Sequence, residues 1–244
     1  MDKWNYEEED EKYLALYDAN FRHIEREKPI YPSNNPKNTL DNAVDSTSDV
    51  VAACEIIREK FYFATLRCKP KSTSRTHYFT IDDDLRYENF YSDFGPLNLS
   101  HIYRYCQKVK QKLESKTLGK KKIVHYTSEN QNNRVNAAFL AGCYQIIILN
   151  KKAEDVYKLL VCCNRQQQNL YKNDTSFHNI HLTHKSARAN EVCAQKHQVY
   201  KPYRDAALGS PLYLLTLLDC LLAVERALKH KWLRFWGLDN TRLE

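Results

Sequence analysis

The chain has 244 residues, 43% of them apolar or aromatic, which is enough to bury a sizeable core in one domain with extensions. Its formal net charge of +7 is dispersed, so it slightly favours anionic partners and does not indicate nucleic acid. No run of eighteen apolar residues and no basic-then-apolar leader is present, which argues against a membrane span or secretion, and eight irregularly spaced cysteines suit free thiols in the nucleus and/or cytoplasm.

Residues 1–28 hold an acidic run, Glu7 to Glu11, followed by Tyr13, Leu14, Tyr17, Phe21 and Ile24 at helical spacing. An N-terminal amphipathic helix is expected there, since acidic residues suit a helix start. Residues 29–48 are rich in Pro, Asn, Ser and Asp and read as a linker. The domain proper is expected over 49–161 and 199–231. It opens with a short helix from Asp49 through Glu59, then strands over Phe61–Leu66 and Thr76–Thr80 flank a basic turn. After the polar turn Ile81-Asp-Asp-Asp84, Tyr87–Tyr91 reads as an aromatic strand. Six Phe or Tyr fall between 78 and 94, which suits either sheet packing or a hydrophobic face against a partner domain. Gly95-Pro96 breaks the chain before a helix over about 98–115, with Leu99, Ile102, Tyr103, Cys106, Val109 and Leu113 at helical spacing.

The central stretch is 121–150. Ile123–Tyr126 favours a strand, 127–133 is wholly polar, and from Arg134 apolar or small residues fall at 135, 138, 139, 142, 146 and 149. Ala137, Leu140, Ala141, Ile147 and Ile148 fill the other faces, so this helix is expected to be buried nearly all round. Strand, tight loop and buried helix form the arrangement whose backbone N–H groups can hold a phosphate. His125, Ser128 and Arg134 stand where a cysteine-dependent phosphatase has its loop His, its nucleophile and, after five intervening residues, its phosphate-gripping Arg. The nucleophile here is a serine with no evident base, Glu129 would repel a phosphate dianion, and the loop lacks glycine. The expectation is a vestigial phosphate loop, with Arg134 either holding a weakly bound anion or pairing with a carboxylate.

Ala153–Val161 reads as a further short helix. Residues 162–198 form a polar insert whose composition favours disorder. Its Cys162, Cys163, His178, His181, His184, Cys193 and His197 raise a zinc site, yet the spacing fits no standard four-ligand frame, so no metal or cofactor is expected. Ser210 and Pro211 suit the start of a final helix bearing Leu214, Leu217, Leu218, Leu221, Leu222 and Val224, and 232–244 is a tail. Alternating strands and helices imply an α/β fold with a mostly parallel sheet flanked by helices.

Phe61–Arg67, Lys69–Thr73, His77–Phe79, Tyr87–Asn98, Lys122–Thr127 and Pro202–Ala206 occur in an order that closely resembles the N-terminal half of the cell-division-cycle-fourteen dual-specificity phosphatases. The resemblance runs from about Cys54 to Val161 and from about Tyr200 to Leu228. It implies a phosphatase-like domain without catalysis, packed on a catalytic phosphatase domain and helping to shape a groove for phosphoserine-proline substrates. The second domain of that family carries the reactive Cys loop, and this sequence is expected to end before it. A scaffold and substrate-docking half is therefore weighed against a free-standing pseudophosphatase module and an active phosphatase. For the last, a Cys followed after five residues by Arg is needed. Cys220 with Arg226 alone meets the count, and Leu221 to Glu225 between them reads as helix interior. Partners are expected to be the catalytic domain or phosphoprotein substrates, with neither nucleic acid nor membrane.

Overall fold

β-Branched and aromatic residues, which pack well on a pleated surface, build a four-stranded sheet. The structure is a computed structural model that describes residues 49–162, 199–211 and 213–233. Its strands are β1 (Val50–Ile57), β2 (Phe61–Leu66), β3 (Thr76–Phe79) and β4 (Lys122–Thr127), in the spatial order β1-β2-β4-β3. β1 pairs antiparallel with β2, whereas β2–β4 and β3–β4 are parallel. The sheet is thus mostly parallel and flanked by helices, an α/β fold. β2 is buried at all six positions, as expected of an inner strand covered on both faces.

Helices α1 (Leu99–Glu114), α2 (Gln131–Ile147), α3 (Ala153–Cys162) and α4 (Leu217–Lys229) complete the domain. Asn98 caps α1 by accepting from the His101 amide at 3.1 Å. α2 follows β4 and is buried at every residue from Arg134 to Ile147; its apolar residues on all faces suit this, and Arg134, Asn136 and Gln145 are buried with them. It packs against α1, α3 and α4. Gly142 is where α4 comes closest, for a Cβ there would lie 2.6 Å from Leu221 Cδ2. One sheet face carries Tyr62, Ala64, Leu66, Tyr78 and Val124 in an apolar cluster with Val50. The other carries Phe61, Phe63, Phe79 and His125, which meet Tyr105 of α1 and Tyr144 of α2.

Three expectations are corrected. Residues 50–57 form strand β1 rather than a helix. Two Val and two Ile favour extended backbone, and the turn to β2 is made by Glu59 at φ 55°, its amide held by Glu55 Oε1. Tyr87–Tyr91 is not a strand. Asp93 gathers this segment instead, accepting from the Phe90 and Tyr91 amides at 3.0 and 2.8 Å and from the Tyr87 hydroxyl at 2.6 Å. The last helix starts not at Ser210 but after Thr216, which shares a reciprocal capping box with Asp219. Before it, Tyr203 and Leu215 form an antiparallel bridge. The helix expected in 1–28, the 29–48 linker, the 162–198 insert beyond Cys162 and the 232–244 tail beyond Leu233 lie outside the described residues. Among the described residues no helix is long and apolar enough to cross a membrane.

Candidate functional site

The site grows from the junction of β4 and α2. β4 must run parallel between β2 and β3, which points its C-terminal end, Thr127, at the start of α2. His125 lies on the inner face of that strand and is wholly buried. Its Nδ1 shares a 2.8 Å hydrogen bond with the Tyr105 hydroxyl, and its ring stacks on Phe79 at a centroid distance of 5.1 Å. Burial, helped by the charge of Lys108, pushes its pKa down to about 3, so the imidazole is neutral. Held in the core beneath the strand, it orders β4 against α1 and does not reach over the loop as a base.

The loop donors are already occupied. Asp82, from the turn after β3, accepts from the Ser128 amide at 3.0 Å and from the Thr127 hydroxyl at 3.0 Å. Asn130 caps α2, its Oδ1 accepting from the amides of Asn132 and Asn133 at 3.0 and 3.2 Å. Two side-chain oxygens of the protein thus take the donors that a phosphatase would turn toward a substrate phosphate. Among the described residues the Ser128 hydroxyl accepts from the Asn133 side-chain amide, at 3.5 Å. Glu129 turns to Arg67, 3.8 Å away, with both side chains about half exposed.

Arg134 stands in the first turn of α2, only 6% exposed, with its guanidinium 5.2 Å from the centre of the Tyr200 ring. Among the described residues no acceptor meets its Nε or Nη2. The three residues singled out in the sequence therefore surround one junction but do not converge on a common point: His125 faces the core, Ser128 the Asp82 turn and Arg134 the 200–201 segment. Cys220 and Arg226 lie inside α4, where no loop exists to bind an anion.

Beside the loop opens a cleft of about 470 Å³, lined by Asp82, Asp83, Arg86, Tyr87, Tyr91, Asp93, Asn133 and Asn136 among others. Its lining holds three carboxylates and one guanidinium, and Asp83 pairs with Arg86 at 2.9 Å. Tyr91, in the lining, is 50% exposed, and its chain neighbour Phe90 is 88% exposed. The far wall is pinned to α2 because Asn136 Nδ2 donates to the Phe94 carbonyl at 2.6 Å. Gly95 beside it has φ +154°, and a Cβ there would lie 2.4 Å from Asn136 Oδ1 and 2.5 Å from Tyr203 Cε1. Sequence reasoning missed Asp82, Asp93 and Asn130 as organisers. Asn130 carried a signal, being a good N-cap residue three positions before Asn133; Asp82 carried none, because its partners are 45 and 46 residues away. No group of three or more His, Cys, Asp or Glu is arranged to hold a metal among the described residues.

A mostly parallel sheet, a helix-start loop with a phosphatase's spacing and a serine in the nucleophile position together define a phosphatase-like α/β domain. Comparison with known proteins agrees: residues 55–179 match the family described as "Dual specificity protein phosphatase, N-terminal half". The chain belongs to that family. It is 42% identical over 217 residues to dual specificity protein phosphatase CDC14AB of Danio rerio, covering 84% of this chain and 30% of the relative. To dual specificity protein phosphatase CDC14A of Homo sapiens it is 42% identical over 198 residues, 81% of this chain and 28% of the relative. Tyrosine-protein phosphatase cdc-14 of Caenorhabditis elegans is 29% identical over 221 residues, 85% and 25% respectively. The chain thus spans under a third of the length of these relatives.

Proposed function

We propose that this chain is the non-catalytic scaffold and substrate-docking part of a dual-specificity protein phosphatase of the cell-cycle type, working in the nucleus and/or cytoplasm. The observation that carries this reading is the closed loop: a serine in the nucleophile position, with its amide bonded to the Asp82 carboxylate at 3.0 Å. A phosphate dianion entering there would meet that carboxylate and Glu129. A thiolate would meet the same two charges, so even Ser128→Cys would be a poor nucleophile.

Docking is supported by the cleft next to the loop. Its exposed Asp83 carboxylate suits a basic side chain, its Asn groups suit a peptide backbone, and half-exposed Tyr91 offers aromatic contact. The segment it would hold is part of a phosphoprotein substrate whose phosphate is processed on a catalytic domain. Fluorescence anisotropy with labelled phosphoserine-proline peptides, with and without a lysine after the proline, tests this. Binding should favour the lysine peptide and weaken severalfold in Asp83→Ala. Equal affinity for both peptides, unchanged in that variant, would remove the docking role.

A further inference from the structure

The backbone donors of the loop are taken, but the guanidinium of Arg134 is not. Tyr200 stacks on it and is fixed in turn by its hydroxyl, which donates to the Leu160 carbonyl at 3.2 Å. The next residue, Lys201, reaches back to Asn132 Oδ1 at 3.0 Å, so residues 200–201 close over the first turn of α2. Inside this closure Arg134 is 6% exposed, and both Nε and Nη2 are buried without an acceptor. A guanidinium cannot shed its charge, and burying it unpaired costs far more than ring stacking returns.

The two open N–H groups share one edge of the guanidinium. That edge is spaced to donate in parallel to two oxygens of a single carboxylate, phosphate or sulfate. Lys201 supplies a second, exposed cation on the same segment. We infer that Arg134 is an oxyanion-binding residue, its Nε–Nη2 edge gripping two oxygens of one anion with Lys201 adding charge. The site is separate from a phosphatase loop, because the Asn132, Asn133 and Ser128 amides are spent on Asn130 and Asp82. It concerns binding alone and does not rest on the docking role.

The ligand has two sources, a free inorganic oxyanion or the carboxylate of an acidic side chain, which phosphate and acetate distinguish. The full chain in chloride buffer is titrated with sodium phosphate, sodium sulfate and sodium acetate at constant ionic strength, observing arginine Nε–H resonances and the thermal midpoint. One resonance, absent from Arg134→Met, should move and saturate, and the midpoint should rise by a few degrees beyond the chloride control in wild type but not in Arg134→Met. Saturation by phosphate and sulfate only identifies a free oxyanion, and saturation by acetate as well identifies a carboxylate. Lys201→Ala should weaken binding severalfold. If Arg134→Met does not fold, Arg134→Lys replaces it; keeping the charge but losing the two-donor edge, it should bind about tenfold more weakly. No arginine resonance responding to any of the anions beyond chloride would overturn the proposal, as would equal midpoint shifts in wild type and variant.

Discussion

The loop at 127–134 and the cleft walled by 81–94 are neighbours, and Asp82 belongs to both. On the loop side its carboxylate consumes the Ser128 amide and the Thr127 hydroxyl; on the cleft side it adds to Asp83 and Asp93. One side chain therefore closes a place built for anions while sharpening a place suited to cations. An α/β scaffold can keep a strand–loop–helix junction intact and yet reverse the charge it offers, because the chemistry sits in a few side chains and not in the fold.

The largest test acts on the cleft wall and the Tyr203 side chain behind it. Gly95→Ala would force a Cβ into Asn136 and Tyr203 at a backbone φ that side chains avoid, costing about 3 kcal/mol by chemical denaturation. A cost below about 1 kcal/mol would show that the wall is not pinned to α2. Next comes His125, beneath the loop. Its folded pKa lies near 3 and its unfolded value near 6.5, so the unfolded chain binds the extra proton between these limits. Its contribution is complete above pH 6.5 and is lost as pH falls toward 3. From pH 7 to 5 that loss is about 2 kcal/mol, and it should vanish from the pH profile of His125→Phe.

Asp82 itself should matter somewhat less. Asp82→Ala removes the acceptor of two hydrogen bonds, costing about 1.5 kcal/mol, and should speed hydrogen exchange at the Ser128 amide while leaving the cleft wall in place. The smallest effect is expected at the cap. Asn130→Ala frees the Asn132 and Asn133 amides at about 1 kcal/mol, read from the same denaturation curves.

Much of the scaffold was legible in the sequence. Residues 135–147 are apolar or small on most faces of the helix, and burial nearly all round followed from that; the burial of Arg134, Asn136 and Gln145 did not. β1 was not legible, since its apolar positions 50, 51, 54, 56 and 57 satisfy a helical and an extended reading alike, and pairing with β2 decides between them. At α4 the Thr216-Leu-Leu-Asp219 box was in plain view, yet Ser210-Pro211 offered an equally ordinary start. The positions of His125, Ser128 and Arg134 around one junction could be read from spacing alone. Their partners could not: Tyr105, Asp82 and Tyr200 lie 20, 46 and 66 residues away along the chain, and local pattern carries no information about such pairings.

The central claim is that the junction at Ser128 performs no phosphoryl chemistry. Its most direct measurement is hydrolysis of para-nitrophenyl phosphate by the purified chain beside Ser128→Ala, Ser128→Cys and Arg134→Ala. Among the described residues the serine hydroxyl is bonded to Asn133 and to no base: His125 is neutral and buried beneath the strand, and the nearby Asp82 carboxylate is engaged by the Thr127 hydroxyl and the Ser128 amide. No turnover above the uncatalysed rate is predicted for any of the four proteins. Turnover by the wild-type chain that either Ser128→Ala or Arg134→Ala abolishes would contradict the account.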